Sequence, residues 1–279
     1  MRADTGAPPA GADRPFPSGG GEHTIMSAPD GSPNPHPRMY GDLARWWPLI
    51  SPVEVYEGDA RTASGLFAAA EGPVRTVLEL GSGGGHTAFH LRSRYAMTLV
   101  DLSEDMLTVS RALNPGVEHL RGDMRELRLE RTFDAVLVHD AIDYMTTEEE
   151  LAAAFRTAYL HCRPGGVAVF FPDHLTETYE PRTDWGGEDA ADGRGVRYLE
   201  WGLPVEPGAH TARTEYTFTL READGTVRTA HETHVTGLFP AATWTRLLRG
   251  TGFEVSTATE SGTEGEPTRT LFIGHRPAG

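Results

Sequence analysis

Between residues 75 and 173, short apolar runs alternate with segments in which apolar residues recur at helical spacing. The runs predict five strands, at 75–80, 97–101, 117–120, 133–139 and 166–172. The segments between them predict helices at 85–94, 103–113 and 147–161, with Ser103 and Thr147 as N-caps. Strands that alternate with helices usually form a parallel sheet with helices on both faces. A doubly wound α/β fold is therefore predicted.

The last third of the chain has a different pattern. Residues 214–221 and 226–236 alternate apolar and polar positions on either side of Asp224-Gly225, which predicts an antiparallel hairpin. A helix is expected from Pro240, followed by two strands that bring the mostly parallel sheet to seven. These strands are predicted at 253–257 and 270–273, and loops at 174–195 and 260–268.

The N-terminal part of the chain lacks hydrophobic periodicity. Residues 1–38 are rich in Gly, Pro, Ala and Asp and are expected to form a disordered tail, because they have too little apolar surface to offset their conformational entropy. Ser51-Pro52 predicts the start of a helix that runs to about Ala70. Residues 39–279 are expected to form a single domain.

A glycine-rich segment, Glu79-Leu-Gly-Ser-Gly-Gly-Gly85, lies between the first predicted strand and its helix. Glycines at such a turn let bare backbone approach a bound ligand. Asp101 ends the next strand, 22 positions after Glu79. That offset suits a carboxylate that receives ribose hydroxyls in a nucleotide-binding βαβ unit. The pattern predicts a small-molecule ligand that contains a nucleoside.

The spacing of the glycines argues against a dinucleotide. The dinucleotide pattern needs a sixth-position glycine, and counting from Gly81 that position is His86. Gly122-Asp123-Met124 follows the third strand, where an aspartate could accept the exocyclic amine of adenine.

Composition narrows the class further. The formal net charge is −15 and no Lys/Arg cluster occurs, which argues against a nucleic-acid partner. A single cysteine, Cys162, excludes an intrachain disulfide and a cysteine-rich zinc site. No apolar run approaches the roughly 20 residues of a membrane helix, and no signal peptide is recognisable. We therefore expect a cytoplasmic protein without a metal site or a membrane partner.

Five segments occur in a recognisable order across residues 75–173. They are Glu79-Leu-Gly-Ser-Gly-Gly-Gly85, Asp101-Leu-Ser-Glu-Asp-Met-Leu107, Gly122-Asp-Met-Arg125, Phe133-Asp-Ala-Val136 and Arg163-Pro-Gly-Gly166. This series resembles the motifs of class I S-adenosylmethionine-dependent methyltransferases. The resemblance implies a Rossmann-like fold whose 75–173 core binds S-adenosyl-L-methionine and leaves S-adenosyl-L-homocysteine as the product.

The resemblance also implies roles for individual residues. Glu79 and the glycine backbone would face the methionine part of the cofactor, Asp101 the ribose, and Asp123 the adenine edge. The implied cofactor contacts are Tyr56, Glu79, Gly81, Gly83, Gly85, Asp101, Leu102, Met106, Asp123, Met124 and His139.

A narrower resemblance covers about residues 40–276. Glu232-Thr-His-Val-Thr-Gly-Leu-Phe239 and Arg269-Thr-Leu-Phe-Ile-Gly274 are similar to segments of amino-deoxysugar N-methyltransferases of antibiotic biosynthesis. This resemblance implies that the antiparallel strands at 196–238 cover the acceptor site and that Tyr40 and Asp59 help to close that site. This chain departs from those enzymes at Asp143-Tyr144, where they often carry Gly-His, and 174–208 looks longer and more acidic. The acceptor need not be a nucleotide-linked sugar.

Methyl transfer from a sulfonium is an in-line displacement, so positioning and exclusion of water can supply most of the catalysis. A base is needed only when the nucleophile arrives protonated. Asp143 and Tyr144 are the best candidates for contact with the acceptor. His231 and His234 lie on opposite faces of one strand, and the resemblance favours His234 as the third catalytic candidate. Arg269 could hold an anionic part of the acceptor or form a surface ion pair.

Several functions remain open at this point. The leading hypothesis is transfer to an amine of a small molecule, an amino sugar or another natural-product intermediate. An O-methyltransferase shares every cofactor motif, and a regulatory protein that has lost transfer would keep the fold. A homodimer is left open.

Overall fold

The structure is a computed structural model that describes residues 37–260 and 268–279. Seven strands form its main sheet in the order β10-β11-β5-β4-β1-β2-β3. These strands are β1 (Thr76–Leu80), β2 (Ala96–Asp101), β3 (Glu118–Arg121), β4 (Phe133–Val138), β5 (Cys162–Phe170), β10 (Glu254–Glu260) and β11 (Arg269–His275). The five strands β1 to β5 run parallel, whereas β11 pairs antiparallel with β5 and with β10. The predicted mostly parallel, seven-stranded sheet is confirmed.

Helices cover both faces of this sheet. They are α1 (Trp47–Ile50), α2 (Glu57–Leu66), α3 (His86–Leu91), α4 (Glu104–Leu113), α5 (Glu148–His161) and α6 (Ala241–Thr251). The two predicted N-caps are confirmed, because Ser103 Oγ accepts a hydrogen bond from Met106 N and Thr147 Oγ1 accepts one from Glu150 N, each at 3.2 Å. In the described part of the chain, no helix is both long and apolar enough to cross a lipid bilayer.

The central strands are mainly apolar because both faces of the sheet are buried. In β4, Val136 and Val138 join a cluster that includes α5 and α6, while Ala135 and Leu137 join a cluster with α2 and α3. In the first cluster, Trp244 of α6 stacks on Phe272 of β11. Burial on both faces explains why these strands are mainly apolar in the sequence instead of alternating apolar and polar positions.

A second, four-stranded antiparallel sheet lies beside the first. Its strands are β6 (Thr183–Gly186), β7 (Gly195–Gly202), β8 (Thr211–Arg221) and β9 (Val227–Gly237). The predicted hairpin joins β8 to β9, and Gly225 adopts a φ of 86° in its turn. The N-terminal segment, defined here as residues 37–50, packs Met39, Leu43 and Trp46 against Phe218 of β8.

Three local predictions were wrong. The predicted loop 174–195 contains β6, a four-residue edge strand ordered by its pairing with β7 rather than by its own pattern. Strand β5 begins at Cys162 instead of residue 166, because Pro164-Gly165-Gly166 forms an irregularity within the strand. The helix predicted over 51–70 begins and ends in 3₁₀ turns, with α2 between them. The proposed tail to residue 36 and most of the predicted loop 260–268 lie outside the described residues.

Candidate active site

The glycine-rich turn after β1 is held against the end of β2. The backbone N–H groups of Gly81 and Ser82 donate to the Val100 carbonyl at 2.8 and 2.9 Å. Asp101 accepts from Gly83 N at 2.7 Å through one carboxylate oxygen and from Ser103 N at 2.8 Å through the other. Asp101 therefore connects the turn to the start of α4, at the carboxyl edge where parallel sheets bind ligands.

Glycine is required at position 81 for two reasons. Its φ of 74° lies in the left-handed region. A Cβ there would also lie 2.4 Å from Ala141 Cβ and 2.8 Å from Met124 Cε. On the other side of the turn, a Cβ on Gly84 would lie 2.5 Å from Cδ1 of Trp47. The turn is thus enclosed by close contacts from three separate parts of the chain.

Within residues 37–260 and 268–279, three buried polar atoms near this turn have no hydrogen-bond partner: Glu79 Oε2, Ser82 Oγ and His86 Nδ1. Leaving such an atom unpaired typically costs about 1–3 kcal/mol, so native proteins rarely do so without a reason. Burial raises the pKa of Glu79 to about 8, although the nearby His139 lowers it. The turn therefore offers unused hydrogen-bonding capacity to a polar ligand.

His139, directly after β4, lies between two carboxylates. Its Nε2 is 2.6 Å from Asp59 Oδ2 and its Nδ1 is 2.9 Å from Asp140 Oδ1. Burial alone would lower the pKa of His139, but the two aspartates raise it to about 10. The imidazole is consequently a cation that donates from both nitrogens. It lies with its ring 6.0 Å from that of Tyr56.

Arg269 completes this ionic cluster. Its guanidinium lies 2.9 Å from Asp59, 2.7 Å from Glu260, 3.4 Å from Asp140 and 3.8 Å from Asp173. The Arg269 side chain is only 18% exposed. Arg269 is therefore paired with carboxylates of the chain itself, but in a largely buried cluster rather than in the surface ion pair that the sequence left open. The second predicted acceptor contact, Asp59, is bound by both His139 and Arg269.

A second polar cluster joins the N-terminal segment to the antiparallel sheet. The Tyr144 hydroxyl donates to the Tyr40 hydroxyl at 3.1 Å and lies 2.7 Å from His234 Nδ1. His234 is buried, whereas His231 is exposed on the opposite face of β9 and lies 3.0 Å from Glu215. The predicted difference in orientation between the two histidines is confirmed. Three candidate residues that are far apart in the sequence therefore meet here.

The remaining predicted site residues have diverse surroundings. Asp143 is buried, accepts from Asp173 N at 2.7 Å, and has a pKa raised well above its usual range by that burial. Asp123 forms an ion pair with Arg125 at 2.6 Å. Met106 and Met124 are buried near the glycine turn, and Leu102 is 38% exposed.

Comparison with known proteins shows which protein family the chain belongs to. Residues 77–166 match the family profile described as "Methyltransferase domain". The dTDP-3-amino-3,4,6-trideoxy-alpha-D-glucopyranose N,N-dimethyltransferase of Streptomyces venezuelae is 32% identical, over 78% of this chain and 90% of that protein. The chain belongs to the class I S-adenosylmethionine-dependent methyltransferases. This methyltransferase is also 25% identical to a related sugar N,N-dimethyltransferase of Streptomyces fradiae, over 82% of its length and 91% of the relative.

Solved structures agree with this assignment. The crystal structure of Streptomyces venezuelae DesVI superposes with a TM-score of 0.69 at 28% identity, covering 85% of this methyltransferase and 95% of DesVI. An S-adenosylmethionine-bound amino pentose methyltransferase from Micromonospora echinaspora gives 0.65 at 25% identity, over 79% and 91% of the two chains. The cofactor is S-adenosyl-L-methionine.

The residues at the turn suit that cofactor. Glu79 would receive its amino group and Asp101 its ribose hydroxyls, while the glycine backbone admits it at close range. Asp123 would have to share its carboxylate between Arg125 and the adenine amine. Sequence reasoning gave no role to Ser82, Trp47 or His86. Of these, only His86 had a visible signal, its position directly after the glycines.

The raised pKa of Glu79 predicts proton release when the cofactor binds. Near pH 7 the free protein holds this carboxyl mostly protonated, and an ammonium beside it favours the carboxylate. Titration calorimetry in two buffers of different ionisation enthalpy should show close to one proton released per cofactor. In Glu79→Gln the release should disappear and the affinity should fall about 10- to 100-fold. The exposed Glu104→Gln is the control.

The raised pKa of Glu79 also affects the folding stability of the protein without the cofactor. Because the pKa of Glu79 is higher in the folded chain than its ordinary 4.5, the folded protein loses stability as the pH rises from 4.5 towards about 8. The Gln variant should lack this loss. Proton release that is equal in wild type and Glu79→Gln would contradict the assignment.

Proposed function

We propose that this methyltransferase transfers a methyl group from S-adenosyl-L-methionine to the amine of a small molecule, an amino sugar or another natural-product intermediate. Two relatives that match most of the chain are N,N-dimethyltransferases of dTDP-amino-deoxysugars. The observation within this chain that carries the proposal is the buried contact between Tyr144 and His234, since a phenol and an imidazole can remove a proton from an ammonium. Transfer to a hydroxyl is not favoured, because these relatives are N-methyltransferases.

The bound cofactor supplies a methyl group on a sulfonium, and the chain supplies geometry and proton transfer. We assign contact with the acceptor nitrogen to Tyr144, and proton acceptance behind it to His234. Asp143 is buried and held by the backbone of Asp173, so its role is to orient the acceptor rather than to act as a strong base. Tyr40 closes this region from the N-terminal segment, with its ring 5.7 Å from that of Tyr144.

The acidic cluster gives the region a preference for a cationic acceptor. The carboxylates of Asp59, Asp140 and Glu260 face two cations, the Arg269 guanidinium and the His139 imidazolium, which leaves an excess of negative charge. An amine acceptor arrives largely as an ammonium near neutral pH, and an excess of carboxylates favours its approach. We assign Asp59 and Arg269 to the electrostatics and closure of the acceptor region. The antiparallel sheet would cover the acceptor in the same proposal.

A matched panel of acceptors tests the proposed function. The panel pairs dTDP-3-amino-3,6-dideoxyglucose and the corresponding methyl glycoside with their 3-hydroxy counterparts, each incubated with labelled cofactor. We expect label in the amine members, and the comparison within them shows whether the nucleotide is needed. Transfer to the hydroxyl members with none to the amines would contradict the proposal.

A further inference from the structure

Glu232 lies on β9, two residues before His234 and therefore on the same face of the strand. Its side chain is 8% exposed. One carboxylate oxygen accepts from Arg38 N at 2.5 Å, and the other accepts from Met39 N at 3.0 Å. The second oxygen also lies 3.1 Å from His234 Nε2, although the pair lacks hydrogen-bond alignment. Glu232 thus contacts both the N-terminal segment and a proposed catalytic residue.

We infer that Glu232 is a positioning residue that determines which ring nitrogen of His234 carries the proton. This inference rests on the proposed amine methylation. A carboxylate beside Nε2 favours a proton on that nitrogen, as the third member of a triad does for its histidine. The Nδ1 atom then carries no hydrogen. The Tyr144 hydroxyl donates to the Tyr40 hydroxyl at 3.1 Å, and rotation about its C–O bond turns the same hydrogen to His234 Nδ1, 2.7 Å away. Glu232, His234 and Tyr144 form a relay in that order.

The groups around His234 are consistent with this direction of transfer. It is enclosed by Tyr144 from the turn after β4, Tyr40 from the N-terminal segment, Tyr216 from β8 and Glu232 from its own strand. The three tyrosines are neutral donors and acceptors near neutral pH, and burial raises the pKa of each. Glu232 is therefore the one carboxylate among these four neighbours and the group able to stabilise an imidazolium.

The relay moves one proton before the methyl group is transferred. The acceptor ammonium gives a proton to the Tyr144 oxygen as the phenol proton passes to His234 Nδ1. This leaves a neutral amine and an imidazolium beside Glu232. The nitrogen lone pair then forms the new C–N bond while the S–CH₃ bond breaks and its electron pair remains on sulfur. The methylated ammonium leaves, and His234 returns its proton to solvent.

The same carboxylate connects the relay to the N-terminal segment. By accepting from Arg38 N and Met39 N, Glu232 places the next residue, Tyr40, within 3.1 Å of the Tyr144 hydroxyl. Ser103 Oγ donates to the Tyr40 carbonyl and fixes the other side of this segment. The Glu232 side chain consequently links the N-terminal segment, which closes over the acceptor region, to the relay residue His234.

A substitution that removes only the charge tests the inference. In Glu232→Gln, kcat should fall about 100-fold on an alkylamine probe, dTDP-3-amino-3,6-dideoxyglucose, assayed near neutral pH. On the 3-aminooxy analogue, whose nitrogen is unprotonated at that pH, kcat should stay within about threefold of wild type, because no proton has to be removed. Cofactor affinity from calorimetry should change little, since the glycine turn is untouched.

Glu215→Gln is the matched control, because Glu215 also lies beside a histidine, His231, but on the exposed face of the same sheet. Its kcat should match wild type on both probes. Equal losses on the two probes in Glu232→Gln would overturn the relay and leave a purely structural contact, with amine methylation still standing. A wild-type enzyme that methylates neither probe but does methylate hydroxyls would remove the proposed function and this inference together.

Discussion

Replacing Asp101 by asparagine should weaken S-adenosylmethionine binding by about 100- to 1,000-fold. The carboxylate holds Gly83 N and Ser103 N and is also assigned to the ribose hydroxyls. An amide nitrogen cannot accept a hydrogen bond, so the variant loses contacts to the turn and to the ribose. A hydrogen bond to a charged group contributes about 1.5–3 kcal/mol, and each 1.4 kcal/mol changes the affinity tenfold. Calorimetric titration measures the loss.

The control for this experiment is Asp105→Asn. Asp105 is exposed in the first turn of α4, four residues after Asp101, so the substitution makes the same chemical change near the same helix. Its affinity should stay within about twofold of wild type. The site assignment fails if Asp101→Asn binds the cofactor within about threefold of wild type while remaining folded.

Removing the charge of Arg269 should lower the free energy of unfolding by about 3–5 kcal/mol at neutral pH. Arg269→Met keeps much of the side-chain length but leaves Asp59 and Glu260 without their common cation. Breaking a largely buried ion pair by removing one partner costs this much because the remaining charge is poorly solvated. Denaturant unfolding of wild type and variant gives the difference directly.

The loss should depend on pH in a defined direction. The pKa of Asp59 is lowered, since the favourable effects of His139 and Arg269 outweigh burial. The ion pair therefore stabilises the fold above the ordinary pKa of 3.8, and this contribution disappears as the pH falls through the lowered value. Arg213→Met, which removes an exposed ion pair with Glu215, should cost under about 1 kcal/mol. A similarly small loss in Arg269→Met would refute the proposed importance of the cluster.

The main sheet could be predicted because its information is local. Each central strand is a mainly apolar run buried on both faces, and two of the helices, α4 and α5, start at side-chain caps, Ser103 and Thr147. The glycine turn and Asp101 were likewise visible as a spacing at successive strand ends. Strand β6 was missed because an exposed edge strand takes its order from its neighbour, and its Trp185 points outward at 72% exposure.

The ionic and proton-transfer contacts could not be predicted, because they join distant parts of the chain. Asp59 and Arg269 are separated by 210 positions, and Arg38 and Glu232 by 194. No periodicity pairs such residues before the fold brings them together. The sequence therefore showed which residue types stand at the strand ends, whereas the structure showed that His139 and Arg269 are bound by internal carboxylates.

The most direct test of amine methylation is to observe the new bond. The enzyme is given cofactor with a ¹³C-labelled methyl group and an ¹⁵N-labelled amino sugar, and the product is examined by NMR. We predict a one-bond ¹³C–¹⁵N coupling on the transferred methyl carbon, which forms only with active enzyme. A labelled methyl carbon without this coupling, at the chemical shift of a methyl ether, would contradict the account.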